Sequence, residues 1–177
     1  MLRPDHVGAE RGMLFFTPEW ARGESANDAV LCYDEHLRAL EGGLPDHVLD
    51  LARTISLHDG LIARVRYDPK GTMNVRLRCG DLQFGYCDLE LTCRELSLGR
   101  SDLRCLPGIC AAPAEELLYD EFDLVDDLIV HRLLFSSWRE VSFVARDLAH
   151  RVVPVGSRSF EREADELTGI HREPFGE

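Results

Sequence analysis

The spacing of apolar residues changes once along this chain, at Leu57-His58-Asp59-Gly60. Before that point apolar side chains recur at helical intervals; after it they alternate with polar ones, the period of a strand. In the first part, Thr17 is placed to cap a helix that opens with Pro18 and Glu19. Gly23 interrupts it, and Ser25-Ala-Asn-Asp28 restarts a helix with a box-like cap in which Asp28 replaces the usual Glu. Val30, Leu31, Tyr33, Leu37 and Leu40 form its stripe, and Gly42-Gly43 ends it. Pro45 opens a third helix that turns Val48, Leu49, Leu51 and Ala52 inward.

From Gly60 onward, Leu61, Ala63, Val65 and Tyr67 alternate with Ile62, Arg64, Arg66 and Asp68. Met73, Val75, Leu77 and Cys79 alternate with Asn74, Arg76 and Arg78. The three residues Pro69-Lys70-Gly71 fit a hairpin loop with glycine at the left-handed position. This loop length sets Val65 opposite Val75 and Arg64 opposite Arg76. A two-residue loop would face apolar positions with polar ones, so the pattern selects the register.

Gly80-Asp81 reads as the next turn and Leu82 to Cys93 as the next strand. Residues 97–114, with Gly99, Pro107, Gly108 and Pro113, read mainly as loop. Four more strands are predicted over 117–124, 128–135, 141–145 and 148–155. The segment 128–135 is apolar on both faces apart from His131 and Arg132, which predicts a central strand. Pro154 confines 148–155 to an edge. Residues 160–167 suit one short helix. The fold expected is α+β, with N-terminal helices packed on a mostly antiparallel sheet of about six strands. Residues 1–12 read as a leader, 13–155 as a single domain (13–57 helical, 60–155 sheet) and 156–177 as a polar tail. Met13 competes with Met1 as the native start.

The opening Phe15-Phe16-Thr17-Pro18-Glu19-Trp20, together with Leu57-His58-Asp59-Gly60 and the meander after it, resembles an uncharacterised bacterial family of unknown function across about residues 13–155. The resemblance implies a bacterial, cytosolic α+β protein and carries over no catalytic residue. The layout is also similar to small acidic immunity proteins that neutralise secreted toxins, an analogy at the level of fold.

Charge narrows the partners. The formal net charge is −12, and Lys70 is the one lysine among 20 basic residues. Such a chain repels the phosphate backbone, so nucleic acid is not an expected partner, whereas a basic protein is. No apolar run approaches the roughly 20 residues of a membrane span, so no membrane partner is expected. The first twelve residues lack the apolar core of a signal peptide, which makes the cytoplasm the expected compartment. Cys32, Cys79, Cys87, Cys93, Cys105 and Cys110 are then reduced thiols. Their spacing contains no CxxC pair, and no metal or cofactor is expected.

Three constellations carry candidate chemistry. Glu115 to Asp127 holds seven acids and no base in thirteen residues. If it is a strand, Tyr119, Glu121 and Asp123 share a face that must be wet. Glu115, Glu116, Asp120, Glu121 and Asp123, with Tyr119 and Phe122 as anchors, then form an acidic partner surface; a solvated edge is the competing reading. Arg64, Arg66, Arg76 and Arg78 lie on one face of the hairpin, with Phe84 and Tyr86 alongside. They either bind an anion or pair with acids inside the fold. His58 and Asp59 fit a turn, or a base and its orienting carboxylate. No nucleophile elbow, phosphate loop or HExxH motif is present. The function expected is therefore an acidic, cytosolic protein-binding domain, a toxin-immunity or regulatory partner. The rival is a small-ligand or metal-dependent enzyme using His58, Asp59 and the carboxylates of 115–127.

Overall fold

The computed structural model describes residues 12–68, 70–98, 100–112, 115–161 and 166–167. The leader and most of the tail lie outside them. Thr17 accepts the Trp20 N–H at 3.3 Å and caps a single-turn helix, α1 (Pro18–Ala21). Asp28 caps α2 (Ala29–Ala39) by accepting the Leu31 N–H at 3.0 Å. The cap is thus Asp28 itself rather than Ser25, because the helix starts three residues later than a capping box would place it. Ala29, Tyr33 and Leu37 form the buried face of α2, whereas Val30 and Leu31 are exposed. Helix α3 (Asp46–Thr54) follows Pro45 and buries Val48, Leu49 and Leu51.

The hairpin register is as predicted from Arg64 to Asp68, and a bulge between Ile62 and Arg64 shifts the pairing before it. β1 (Gly60–Asp68) pairs with β2 (Thr72–Asp81), Val65 facing Val75 and Arg64 facing Arg76, with Gly71 at φ +88°. β3 (Gly85–Arg94) pairs with β2 around a loop at 82–84, so Gly80 and Asp81 belong to a strand and Leu82 and Phe84 do not. The stretch expected as loop contains α4 (Arg100–Ala111) with Pro107 inside it. Burial of Leu106 and Ile109, three positions apart on one face, overrides the helix-breaking residues.

β4 (Glu116–Val125), β5 (Leu128–Phe135), β6 (Glu140–Ala145) and β7 (Asp147–Val155) complete a path in the order β6-β5-β4-β1-β2-β3-β7, antiparallel throughout. An eighth strand, β8 (Glu166–Leu167), pairs parallel with β1 and replaces the end of the helix expected at 160–167. The α+β class therefore holds, with eight strands instead of about six. β5 is second from an edge rather than central. All eight of its residues are nevertheless buried.

The two edges of the sheet, β6 and β7, are joined by Arg146 alone. Consecutive Cα atoms stand only about 3.8 Å apart, so the sheet must roll until its edges meet at that corner. Ser97 donates its N–H to the Val144 carbonyl at 2.7 Å, and Arg146 donates to Arg94 at 3.2 Å, across the same seam. β1 touches β4 only through Gly60–Leu117 and Leu61–Glu116. Beyond those pairs the two strands diverge, and α2 packs on the β4 side of the opening.

Candidate functional site

Strand β4 carries the acids that the sequence assigns to a partner surface, and most of them turn inward. The register places Glu121 beside Arg132 and Asp123 beside Val130 on one face. That face is covered by residues 13–16, not wet. Glu121 is fully buried and accepts the N–H groups of Leu14 (2.5 Å), Phe15 (3.0 Å) and Phe16 (3.4 Å). Burial raises its pKa, while those N–H donors and Arg132 pull it back down. Asp123 is buried and accepts from Arg132 at 3.0 Å. Asp120 points to the other face, where it pairs with the fully buried His131 at 3.0 Å. Phe122 is buried and stacks on the His131 ring at 4.0 Å. Glu115 is buried against Arg139 at 3.1 Å and also accepts from Ser137. Glu116 takes a charged hydrogen bond from Arg158 at 2.5 Å. Of the seven predicted residues, Glu116, Tyr119 and Asp120 keep partial solvent contact.

The four arginines share the outer face of the β1–β2–β3–β7 half. Arg78, the most buried, holds Asp88 at 2.6 Å and donates to the carbonyls of Ser157 and Ser159. Its guanidinium also lies over the Phe160 ring, 5.2 Å from the centroid. The start of the tail is thereby clamped onto the sheet, an internal pairing rather than an open anion site. Arg64, Arg76, Glu90 and Arg151 form one cross-strand row, in which Arg151 meets Glu90 at 3.0 Å. Arg66 faces Asn74 in the next row.

His58 and Asp59 contact each other at 3.0 Å, each about half exposed. Asp59 sits at φ +60° and donates its N–H to Leu117, which makes the pair a turn that starts β1. Gly60 is required there, because a Cβ would stand 2.7 Å from the Leu57 carbonyl. Among the described residues, no three His, Cys, Asp or Glu side chains are arranged to hold a metal ion. The described cysteine side chains, Cys32, Cys79, Cys87, Cys93 and Cys105, are free thiols. Burial pushes Cys93 up to about 12 and Cys79 higher still, so neither is an activated nucleophile. An open concavity of about 500 Å³ between α2 and α3 is lined by Glu41, Asp46, Leu49, Asp50 and Arg53, and brings none of the predicted residues together.

What the fold does assemble is an aromatic rim at the junction where β1 and β4 begin. Tyr119 is boxed there by Phe16 (5.3 Å, stacked), Trp20 (5.2 Å) and His58 (5.4 Å). The Phe-Phe-Thr-Pro-Glu-Trp and Leu-His-Asp-Gly motifs therefore meet in space around one ring. Beside the first residues of β4, the β5–β6 turn exposes Trp138 (42 %) at φ +63°, with Arg22 over its ring at 5.0 Å. The β2–β3 tip exposes Leu82 (91 %) and Phe84 (84 %). Asp81 fixes that tip by accepting the N–H groups of Gln83 and Phe84 at 2.7 and 2.8 Å. Sequence reading did not single out Trp138 or Leu82, and it placed Phe84 within a strand. The available signal was Gly80 and Gly85, five residues apart, both at positive φ and bracketing two large apolar residues.

Comparison with family models, curated proteins and solved structures finds no match to this chain. Among the described residues, no helix is long and apolar enough to cross a membrane.

Proposed function

We propose that this chain is a protein-binding domain that engages a basic protein through the rim formed by Trp138 and the His58–Tyr119–Trp20 cluster, which Arg22 joins. The observation that carries this reading is Trp138. A bulky residue in the left-handed region is strained, and here the strain holds an indole out in solvent. Exposed aromatic residues beside arginine are the usual energetic centre of an interface.

The charge of −12 favours a basic partner. The carboxylates left to solvent lie mainly elsewhere than 115–123: Glu35, Glu41, Asp46 and Asp50 are exposed on and between α2 and α3. They act at long range, on association rate, while the rim makes the contact. Free thiols fit a reducing compartment, in line with a cytoplasmic toxin-immunity or regulatory partner.

The test is a photoreactive phenylalanine analogue placed at position 58 or 138 in cells of the source organism, with position 70 on the β1–β2 loop as control. The expected result is one discrete adduct with a basic protein from both rim positions, absent from position 70. No adduct, or the same adducts from all three positions, overturns the reading.

A further inference from the structure

The contact between α3 and β7 is built from two histidines. His47 Nε2 lies 2.7 Å from the Leu148 carbonyl oxygen, which only accepts, so Nε2 carries the proton. β7 pairs with β3 alone, and this carbonyl faces its outer edge. The His150 ring lies parallel to that of His47, with centroids 6.2 Å apart and 22° between planes. His150 Nδ1 is buried and has no hydrogen-bond partner.

We infer that this contact is an acid-released latch: protonation of His150 drives α3 off β7 and bares the outer edge of that strand. A neutral imidazole tolerates one unpaired ring nitrogen. An imidazolium cannot, because both nitrogens become charged donors and Nδ1 has no acceptor within the contact. The cation is also stacked against a second titratable imidazole.

The groups that face His150 decide the sign. On α3 these are His47, which opposes the charge, and Asp50, which favours it. On β3 the residue opposite is Leu91, while Glu90 and its partner Arg151 stand on the other face of the sheet. β5, which also approaches β7, carries His131, held by Asp120. Burial and His47 outweigh Asp50 and keep the His150 pKa below the ordinary histidine value. The closed contact then binds fewer protons than the open one, and acidification below about pH 6.5 favours opening.

Opening frees the Leu148 carbonyl and the edge positions that follow it at every second residue. Position 154 is in that series, and it is a proline with no N–H to offer. The bared edge is therefore short, running from Leu148 to Val152, and α3 guards the part that Pro154 does not.

Amide hydrogen exchange of the whole protein tests this, at about pH 7.5 and about pH 5.5 and corrected for the intrinsic exchange rate. The expected result is a loss of protection of about ten-fold or more in α3 at the lower pH, with α2 unchanged. His150→Gln is expected to hold α3 equally protected at both values. Should that variant fail to fold, an NMR titration of the native chain serves instead: the His150 ring and the α3 amides must shift with one midpoint. Unchanged α3 protection, joint loss of α2 and α3, an equal loss in His150→Gln, or a His150 midpoint separate from that of α3 overturns the inference.

Discussion

The hydroxyl of Tyr33 accepts the backbone N–H of Phe122 at 2.7 Å, so a helix side chain satisfies the strand edge that β1 leaves when it parts from β4. The same device recurs at both sheet edges. Asp102 of α4 accepts the Ser142 N–H on β6 at 3.0 Å, and His47 of α3 donates to the Leu148 carbonyl on β7. Each of these three helices is thus tied to an otherwise unpaired strand edge by one polar side chain, in addition to its apolar face.

Tyr33→Phe keeps the ring and removes the acceptor. It should lower stability by about 1–3 kcal/mol, because Phe122 N–H is then buried and unpaired. Urea unfolding monitored by far-UV circular dichroism measures this. An unchanged midpoint means that water reaches the strand edge.

Charge reversal at Glu121 should be far more damaging than at a surface acid. Glu121→Lys removes the acceptor for Leu14, Phe15 and Phe16 and buries a cation beside Arg132. The expected cost is about 3–5 kcal/mol. Glu35→Lys, on the exposed side of α2, should stay within about 0.5 kcal/mol. Equal stabilities for the two variants would mean that residues 13–16 do not pack on β4 in solution.

Parity along the strands was legible in the sequence because it is local. Alternation fixed which side of β1 and β2 is apolar, and the loop at 69–71 fixed their register. The burial of Glu121 was not legible. It depends on backbone N–H groups of residues 14–16, more than 100 positions away, and backbone donors have no sequence signature. α4 was hidden by Pro107 and Gly108, whose local propensity is outweighed by tertiary burial. The rim was half legible: both motifs stood out as strings, but nothing in a string says that Trp20 and His58 flank the same tyrosine.

Two glycines separate backbone strain from crowding. Gly71 (φ +88°) and Gly80 (φ +101°) both occupy the left-handed region. A Cβ at Gly71 would meet nothing closer than 3.6 Å, whereas one at Gly80 would stand 2.1 Å from the Gly85 carbonyl. Gly71→Ala should therefore cost about 1 kcal/mol, from φ alone, and Gly80→Ala clearly more. Thermal unfolding of both variants ranks them; the reverse order would displace the β2–β3 tip from its described geometry.

High pH should unfold the protein through its buried acids. Burial raises Tyr33, Cys79 and Cys93 above their ordinary values, Cys93 to about 12. Between the unfolded and folded pKa values the native state binds more protons, so stability falls as pH rises. The fall begins near about pH 8.5 for the thiols and about pH 10 for the tyrosine, and approaches 1.4 kcal/mol per pH unit for each group. Urea midpoints at pH values of about 7.5 and 10.5 should differ in that sense, and Tyr33→Phe should show a smaller fall than the parent chain. A midpoint that holds or rises at alkaline pH would contradict the burial of these groups.

Trp138→Gly separates binding from folding. Glycine adopts φ +63° without strain, and the indole removed is 42 % exposed, with Arg22 over its ring at 5.0 Å. Relief of strain offsets the lost contact and the freer unfolded chain, so stability should change by no more than about 1 kcal/mol. Affinity for the partner captured at the rim should nevertheless fall about ten-fold or more, because an exposed aromatic anchor is lost. Calorimetric titration and thermal unfolding of the same preparation give both numbers. Intact affinity would mean that the strain at Trp138 serves the β5–β6 turn alone; a collapse in stability would make the indole a structural cover for α1.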